Sequence, residues 1–364
     1  MRIEEIDTPA IVVDLDIMER NLRRVADYAR GHGLNLRPHT KTHKSVRVAN
    51  RQLELGAFGL TVAKVSEAEV MLGAEPENLL VAFPIVGRTK LERLVAVARR
   101  TRETVALDGA AVAQGISEAA QAAGVEIGVL AEFDVGLGRV GVSPGEPLLD
   151  LARAIQQLPG LRLDGLAFYP GQIKSWDESG RQTFSRVSET LASVLSDFAR
   201  AGIPVGTVSG GSTPPLFHSH EMPGLTEIRP GTYVFNDANT VLSGACDWKD
   251  CAATLMVTVV STSRPDQIIV DGGSKAFSSD RLVISPEVTF GRVVEAPEAR
   301  FHKMNEEHGF IDVSRVGRGF AIGERVRIIP NHVCTAMNLH DRVYGVRGDE
   351  VEAEWSVDGR GKLT

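Results

Sequence analysis

From Ala10 to about Val234, short apolar runs alternate with longer stretches in which apolar residues recur every three or four positions. The runs Ala10–Val13, Leu34–Leu36, Leu60–Ala63, Leu79–Ala82, Val105–Leu107, Ile127–Glu132, Leu163–Phe168, Val205–Ser209 and Tyr233–Phe235 predict strands. The stretches Asp16–Arg30, Ser66–Leu72, Thr89–Arg100 and Asp177–Arg200 predict helices, with Asp16 suited to an N-cap and Gly31 to the residue past the C-cap. Strand–helix units of roughly 25–30 residues imply parallel strands joined by crossover helices. About eight such units predict an α/β architecture, a (β/α)8 TIM-type barrel over residues 10–240, with an open sheet as the alternative. After Leu242 the texture changes. Ala253–Thr262, Gln267–Val270, Arg325–Ile329, Arg342–Val346 and Glu350–Trp355 are β-like runs with little helical periodicity between them. They predict a C-terminal all-β domain over 241–364, with residues 1–9 expected to pack with it.

Composition narrows the function classes. The 364 residues are 43% hydrophobic and 24% charged, which suits one large or two smaller cores. A net charge of -7 argues against a nucleic-acid partner. No apolar run approaches the roughly 20 residues that span a bilayer, so no membrane association is expected. The start Met1-Arg2-Ile3-Glu4-Glu5 lacks a basic region leading into an apolar one. Three cysteines, Cys246, Cys251 and Cys334, do not make a disulfide framework, and a cytoplasmic location is the expectation.

The densest chemistry lies in Arg37-Pro38-His39-Thr40-Lys41-Thr42-His43-Lys44, where the second predicted strand ends. Active sites of such barrels lie at the carboxyl ends of the strands. A lysine there can form a Schiff base once its amine sheds a proton, which neighbouring positive charge and desolvation favour. A solvated basic loop would look the same in composition. Val208-Ser209-Gly210-Gly211-Ser212-Thr213 and Arg229-Pro230-Gly231-Thr232-Tyr233 are two turns in adjacent units late in the barrel. Each can offer backbone N–H groups and hydroxyls to a phosphate, and either alone would pass for a tight structural turn. The glycine-rich loop Glu132–Gly141 lacks the helix a dinucleotide fingerprint needs, and is read as carrying Arg139 into the barrel mouth.

Pro330-Asn331-His332-Val333-Cys334 follows an apolar run in the β-domain. On an extended strand, residues i and i+2 share a face, so His332 and Cys334 are expected to converge. Imidazole and thiolate suit zinc, and two protein ligands suit an open catalytic site rather than a structural one.

These segments, with Asn305-Glu306-Glu307-His308-Gly309 and Asn338-Leu339-His340-Asp341, resemble the D-threonine aldolase and D-serine dehydratase group of fold type III pyridoxal-phosphate enzymes, relatives of alanine racemase. The resemblance runs from Asp7-Thr8-Pro9 to the last β-runs. It implies that Lys41 holds pyridoxal 5'-phosphate and that Ser209, Gly210, Gly211, Ser212, Thr213, Gly231 and Thr232 surround its phosphate. Arg139 matches an arginine at the cofactor's phenolic oxygen, Tyr169 the ring face, and Arg229 an arginine at the pyridine nitrogen. It implies a divalent metal on His332 and Cys334, where the thiolate favours zinc over manganese or magnesium. It also implies a homodimer with shared active sites. The leading expectation is metal-dependent retro-aldol cleavage of D-3-hydroxy-amino acids to glycine and an aldehyde, with His43 or a metal-bound hydroxide as base. The alternatives are a D-serine or D-3-hydroxyaspartate dehydratase, which Cys334 favours, an amino-acid racemase, which Arg229 favours, and a non-enzymatic cofactor carrier.

Overall fold

The computed structural model describes all of residues 1–364. The chain divides into two compact units, Arg24–Lys41 with Val46–Gly231 and Lys362–Thr364, and Met1–Arg23 with Thr42–Ser45 and Thr232–Gly361.

The first unit is the expected barrel. Its strands are Asn35–Leu36, Leu60–Val62, Asn78–Val81, Arg102–Leu107, Ile127–Glu132, Leu161–Ala167, Thr207–Gly210 and Glu227–Ile228. From Leu60–Val62 to Glu227–Ile228 each strand pairs in parallel with the next, and Glu227–Ile228 pairs back onto Asn35–Leu36. A bridge from His39 to Thr61, with Thr40 N–H donating to Thr61 at 2.8 Å, closes the ring. Leu80, Ala106, Leu130 and Ala167, one from each of four adjacent strands, pack together, with Ala82 against them.

Helices cover the barrel where apolar residues repeat on one face. In Glu178–Arg200 the buried positions Phe184, Val187, Leu191, Val194 and Phe198 follow the three-four spacing, and the Asp177 carboxylate caps the start by accepting from Gly180 N–H at 2.9 Å. The first helix, Leu15–Gly31, begins earlier than expected. Asp14, not Asp16, accepts the N–H groups of its first turn, and Gly31 is its last helical residue.

Two predicted strands are corrected. Tyr233–Phe235 is not a strand; Thr232–Val234 forms a 3-10 turn, and the two-residue strand Glu227–Ile228 closes the barrel instead. Ala10–Asp14 is a strand, but it lies in the second unit's nine-stranded sheet. There it sits between Ala253–Arg264, antiparallel, and Arg342–Arg347, parallel. Ile6, Ala10, Val12, Met256 and Val346 form a core beside it. No helix is long and apolar enough to cross a membrane.

The barrel buries several charges. Arg37 and Glu227 form an ion pair at 2.9 Å, not aligned for a hydrogen bond, and Glu103 accepts no hydrogen bond at either oxygen. Burial drives the Glu103 carboxyl well above its ordinary 4.5, with Arg37 opposing. The folded chain therefore keeps a proton that the unfolded chain has released. This group's contribution to stability is full below about pH 4.5 and is lost as pH rises towards the folded-state value, by up to about 1.4 kcal/mol per pH unit. Glu103→Gln removes that dependence. Calorimetric melting temperatures should fall less steeply for the variant than for wild type between about pH 5 and 8, and parallel curves would contradict this assignment.

Candidate active site

Every barrel-unit residue expected in the site lies at the carboxyl end of its strand. After Asn35–Leu36 the chain stays pinned between neighbours: Arg37 N–H donates to Ile228 and His39 N–H to Pro230, both at 2.9 Å. Lys41 comes next, exposed, with its own N–H 3.4 Å from His39 Nδ1.

The turn after Thr207–Gly210 is shaped by close approach. A Cβ on Gly210 would sit 2.3 Å from the Phe168 ring, and Gly211 has φ +97°, so neither position tolerates a side chain. The N–H groups of Gly211, Ser212 and Thr213 donate to no acceptor in the protein, although Gly211 and Ser212 are buried. Buried N–H groups without partners are costly unless an anion takes them. These residues therefore fit the cofactor's phosphate. Gly231, also buried, belongs to this unit, whereas Thr232 belongs to the other.

In the Glu132–Gly141 loop, one carboxylate oxygen of Asp134 collects the N–H groups of Gly136, Leu137 and Gly138 at 3.0, 3.0 and 3.1 Å. Gly141 N–H donates to Asp108 at 2.9 Å. The loop so held presents Arg139 4.7 Å above the Tyr169 ring, bringing two expected cofactor contacts together. Arg229 donates to Ser209 Oγ and, at 3.0 Å, to the Phe168 carbonyl. Ser209 in turn donates to Glu227. Burial pulls the Arg229 guanidinium below its usual range, while Glu227 and Glu132 oppose that shift. The Ser209 hydroxyl is thus engaged in holding Arg229, a task distinct from that of the turn's other residues.

The second unit holds His43, Thr232, His332 and Cys334. His332 and Cys334 do not lie on a strand as expected. The strand Arg325–Pro330 has ended, His332 is the N-cap of the helix Val333–Met337, and Cys334 sits within that helix. Their side chains still converge: the Cys334 thiolate is the main cause that pushes His332 up to about 9, against desolvation. Thr42 Oγ lies 3.1 Å and Thr232 Oγ 3.9 Å from Cys334 Sγ. No group of three or more His, Cys, Asp or Glu side chains gathers to hold a metal. One nitrogen and one sulfur suit an open site with two protein ligands, so the donor set fits a divalent metal of zinc-like softness.

His43 is buried, and Ser45 N–H donates to its Nδ1 at 3.1 Å. In the neutral ring the proton then resides on Nε2. In that tautomer Nε2–H is a hydrogen-bond donor.

The two remaining motifs meet the short helix Ser274–Phe277. The Asn305 and Glu306 carbonyls accept from Ser274 and Lys275, and His340 Nε2 contacts the Ala276 carbonyl at 3.0 Å. Sequence reasoning missed Glu227 and Asp237. The alternation Glu227-x-Arg229 was the available signal for the first, since residues two apart share a face.

Comparison with known proteins identifies the family. The family model described as "Alanine racemase, N-terminal domain" matches residues 13–239, and that described as "Putative serine dehydratase domain" matches residues 252–346. The D-threonine aldolase of an Arthrobacter species is 34% identical over 98% of this chain and 93% of its own length. The crystal structure of D-threonine aldolase from Filomicrobium marinum superposes with a TM-score of 0.94 at 34% identity, over 100% of this chain and 98% of that one. D-threo-3-hydroxyaspartate dehydratase from Delftia sp. HT23 superposes with a TM-score of 0.90 at 30% identity, over 98% of each chain. A cysteine-to-alanine mutant of such a dehydratase is known in the metal-free form.

Ser209→Ala should leave Glu227 without a hydrogen-bond donor and Arg229 with only the Phe168 carbonyl as acceptor, in a buried setting. The expected loss of stability in urea unfolding is about 1–3 kcal/mol, and a loss under about 0.5 kcal/mol would show that Ser209 does not hold the pair.

Proposed function

The chain belongs to the alanine racemase N-terminal family of fold type III pyridoxal-phosphate enzymes, and on that footing we propose that it is a metal-dependent D-threonine aldolase. Its reaction would break the Cα–Cβ bond of a D-3-hydroxy-amino acid, giving glycine and an aldehyde. The observation that carries the reading is the set of unpaired N–H groups at Gly211, Ser212 and Thr213, at the same end of the barrel strands as Lys41.

Pyridoxal phosphate, held by Lys41, supplies the electron sink for the pair left on Cα. A divalent metal on His332 and Cys334 supplies a Lewis acid for the substrate's hydroxyl. The chain's own residues do the rest. The turn Gly210–Thr213, with Gly231 and Thr232, binds the phosphate. Arg139, fixed over Tyr169, is the partner for the phenolic oxygen. Arg229 is the partner for the pyridine nitrogen, and its guanidinium, which carries donors only, disfavours a proton there. Lys41 would donate a proton from Nζ to Cα after the bond breaks, and the proton lost by the substrate's hydroxyl would pass to solvent. His43, with its proton on Nε2, donates to a substrate oxygen. Thr42, the residue after Lys41 in the chain, lies within reach of the Cys334 sulfur. A homodimer with shared sites and a cytoplasmic location are part of the same proposal, the second in keeping with three free cysteines.

Cys334 favours a second reading. A sulfur ligand selects zinc, and with the same parts a dehydratase would expel the β-hydroxyl and give a 2-oxo acid and ammonia. Arg229 keeps a racemase as the outside case.

The test is product identity. Cofactor-loaded protein, stripped of metal and resupplied with zinc or manganese, should convert D-threonine to glycine and acetaldehyde. 2-Oxobutanoate would establish the dehydratase instead, and epimerised threonine alone the racemase.

A further inference from the structure

We propose that Asp237 is a positioning residue for the metal ligand His332, fixing the ring so that Nε2 is the nitrogen offered to the metal. The inference rests on the reading of His332 and Cys334 as the metal site.

Asp237 is 1% exposed and its two oxygens are divided between two tasks. Oδ1 accepts from Thr240 N–H at 2.8 Å and Thr240 Oγ–H at 2.6 Å, capping the helix Ala238–Leu242. Oδ2 turns away from that helix. It accepts from Val333 N–H at 3.0 Å, inside the His332-Val333-Cys334 segment, and lies 3.6 Å from His332 Nδ1. A second clamp joins the same pieces, since the Asn331 carbonyl accepts from Asn239 through N–H at 3.2 Å and Nδ2 at 2.9 Å.

Capping alone does not call for this residue. A cap needs one oxygen, and serine or asparagine supplies it as well as aspartate does. A second carboxylate oxygen, buried beside the Nδ1 of a ligand histidine, is what a cap leaves unexplained. A neutral imidazole carries one proton, and it can bind a metal through Nε2 only if that proton is on Nδ1. A carboxylate at Nδ1 favours that tautomer and orients the ring. Asparagine would place an NH2 group against two donors, Val333 N–H and Nδ1–H. It would thereby favour the opposite tautomer, with the proton on Nε2 where the metal must bind.

The test compares zinc affinities of full-length, cofactor-loaded proteins by competition with a chromophoric chelator. Asp237→Asn should bind zinc about 10–100-fold more weakly than wild type. Asp237→Ser keeps a cap oxygen, gives up the contact with Nδ1, and should weaken binding to a similar extent; it serves if the asparagine variant does not fold. Thr240→Val disturbs only the capping oxygen and should bind zinc as wild type does while melting at a lower temperature. If the folded Asp237 variants bind zinc as tightly as wild type, Asp237 is only a cap and the inference fails. If His332→Ala also binds zinc like wild type, the metal reading itself is wrong and the inference falls with it.

Discussion

Most of the barrel's chemistry depends on the charges it encloses. Glu227 is fully buried between Arg37 and Ser209, and Ser209 passes the contact on to Arg229. Glu132, 6% exposed, adds its charge to Arg229 from a different strand. Such groups are tolerated in the interior only when paired, and removing one partner strands the other. The strand register meets that demand: Ser209 and Asn35 both face Glu227 across the ladder, so three strand ends are drawn to a single ionic centre. Lys41, the Gly210–Thr213 turn and Arg229 follow directly from those strand ends. The ionic centre therefore sets where the proposed cofactor-binding residues begin.

The second unit works by different means. Its proposed metal ligands stand at the start of a short helix, and they are held by backbone capping and by a buried carboxylate. The chain visits this unit three times, at Met1–Arg23, Thr42–Ser45 and Thr232–Gly361. Its shortest visit carries Thr42, which touches Cys334, and Lys44, whose buried ammonium donates to the Gly359 carbonyl at 3.3 Å. That visit begins one residue after Lys41. A single basic segment of eight residues thus supplies the proposed cofactor lysine and, immediately after it, contacts to the segment that carries the metal donors.

Much of this was legible in the sequence, and what was not has physical causes. The long helix Glu178–Arg200 follows from periodicity because one face is buried, and the barrel strands show as short continuous apolar runs because both faces are buried. Ala10–Val13 reads as a strand for the same reason, but an apolar run does not encode its partner, so its sheet was misassigned. Glu227–Ile228 is too short to show any period, and the apolar Tyr233–Phe235 imitates a strand while folding into a 3-10 turn. His332 and Cys334 were expected on a strand, whereas they lie at the start of a helix, a difference that an apolar run before them does not encode. Asp237 was invisible because its importance lies in a contact across almost a hundred residues of chain.

The central claim is a division of labour: the barrel residue Lys41 holds the cofactor, and His332 brings the metal that the cleavage requires. The most direct measurement records the long-wavelength absorbance of the lysine–cofactor linkage, together with D-threonine cleavage, for Lys41→Ala and His332→Ala side by side. The account predicts that Lys41→Ala loses both, whereas His332→Ala keeps the absorbance and loses the cleavage. An intact band in Lys41→Ala, or undiminished cleavage in His332→Ala, would contradict it.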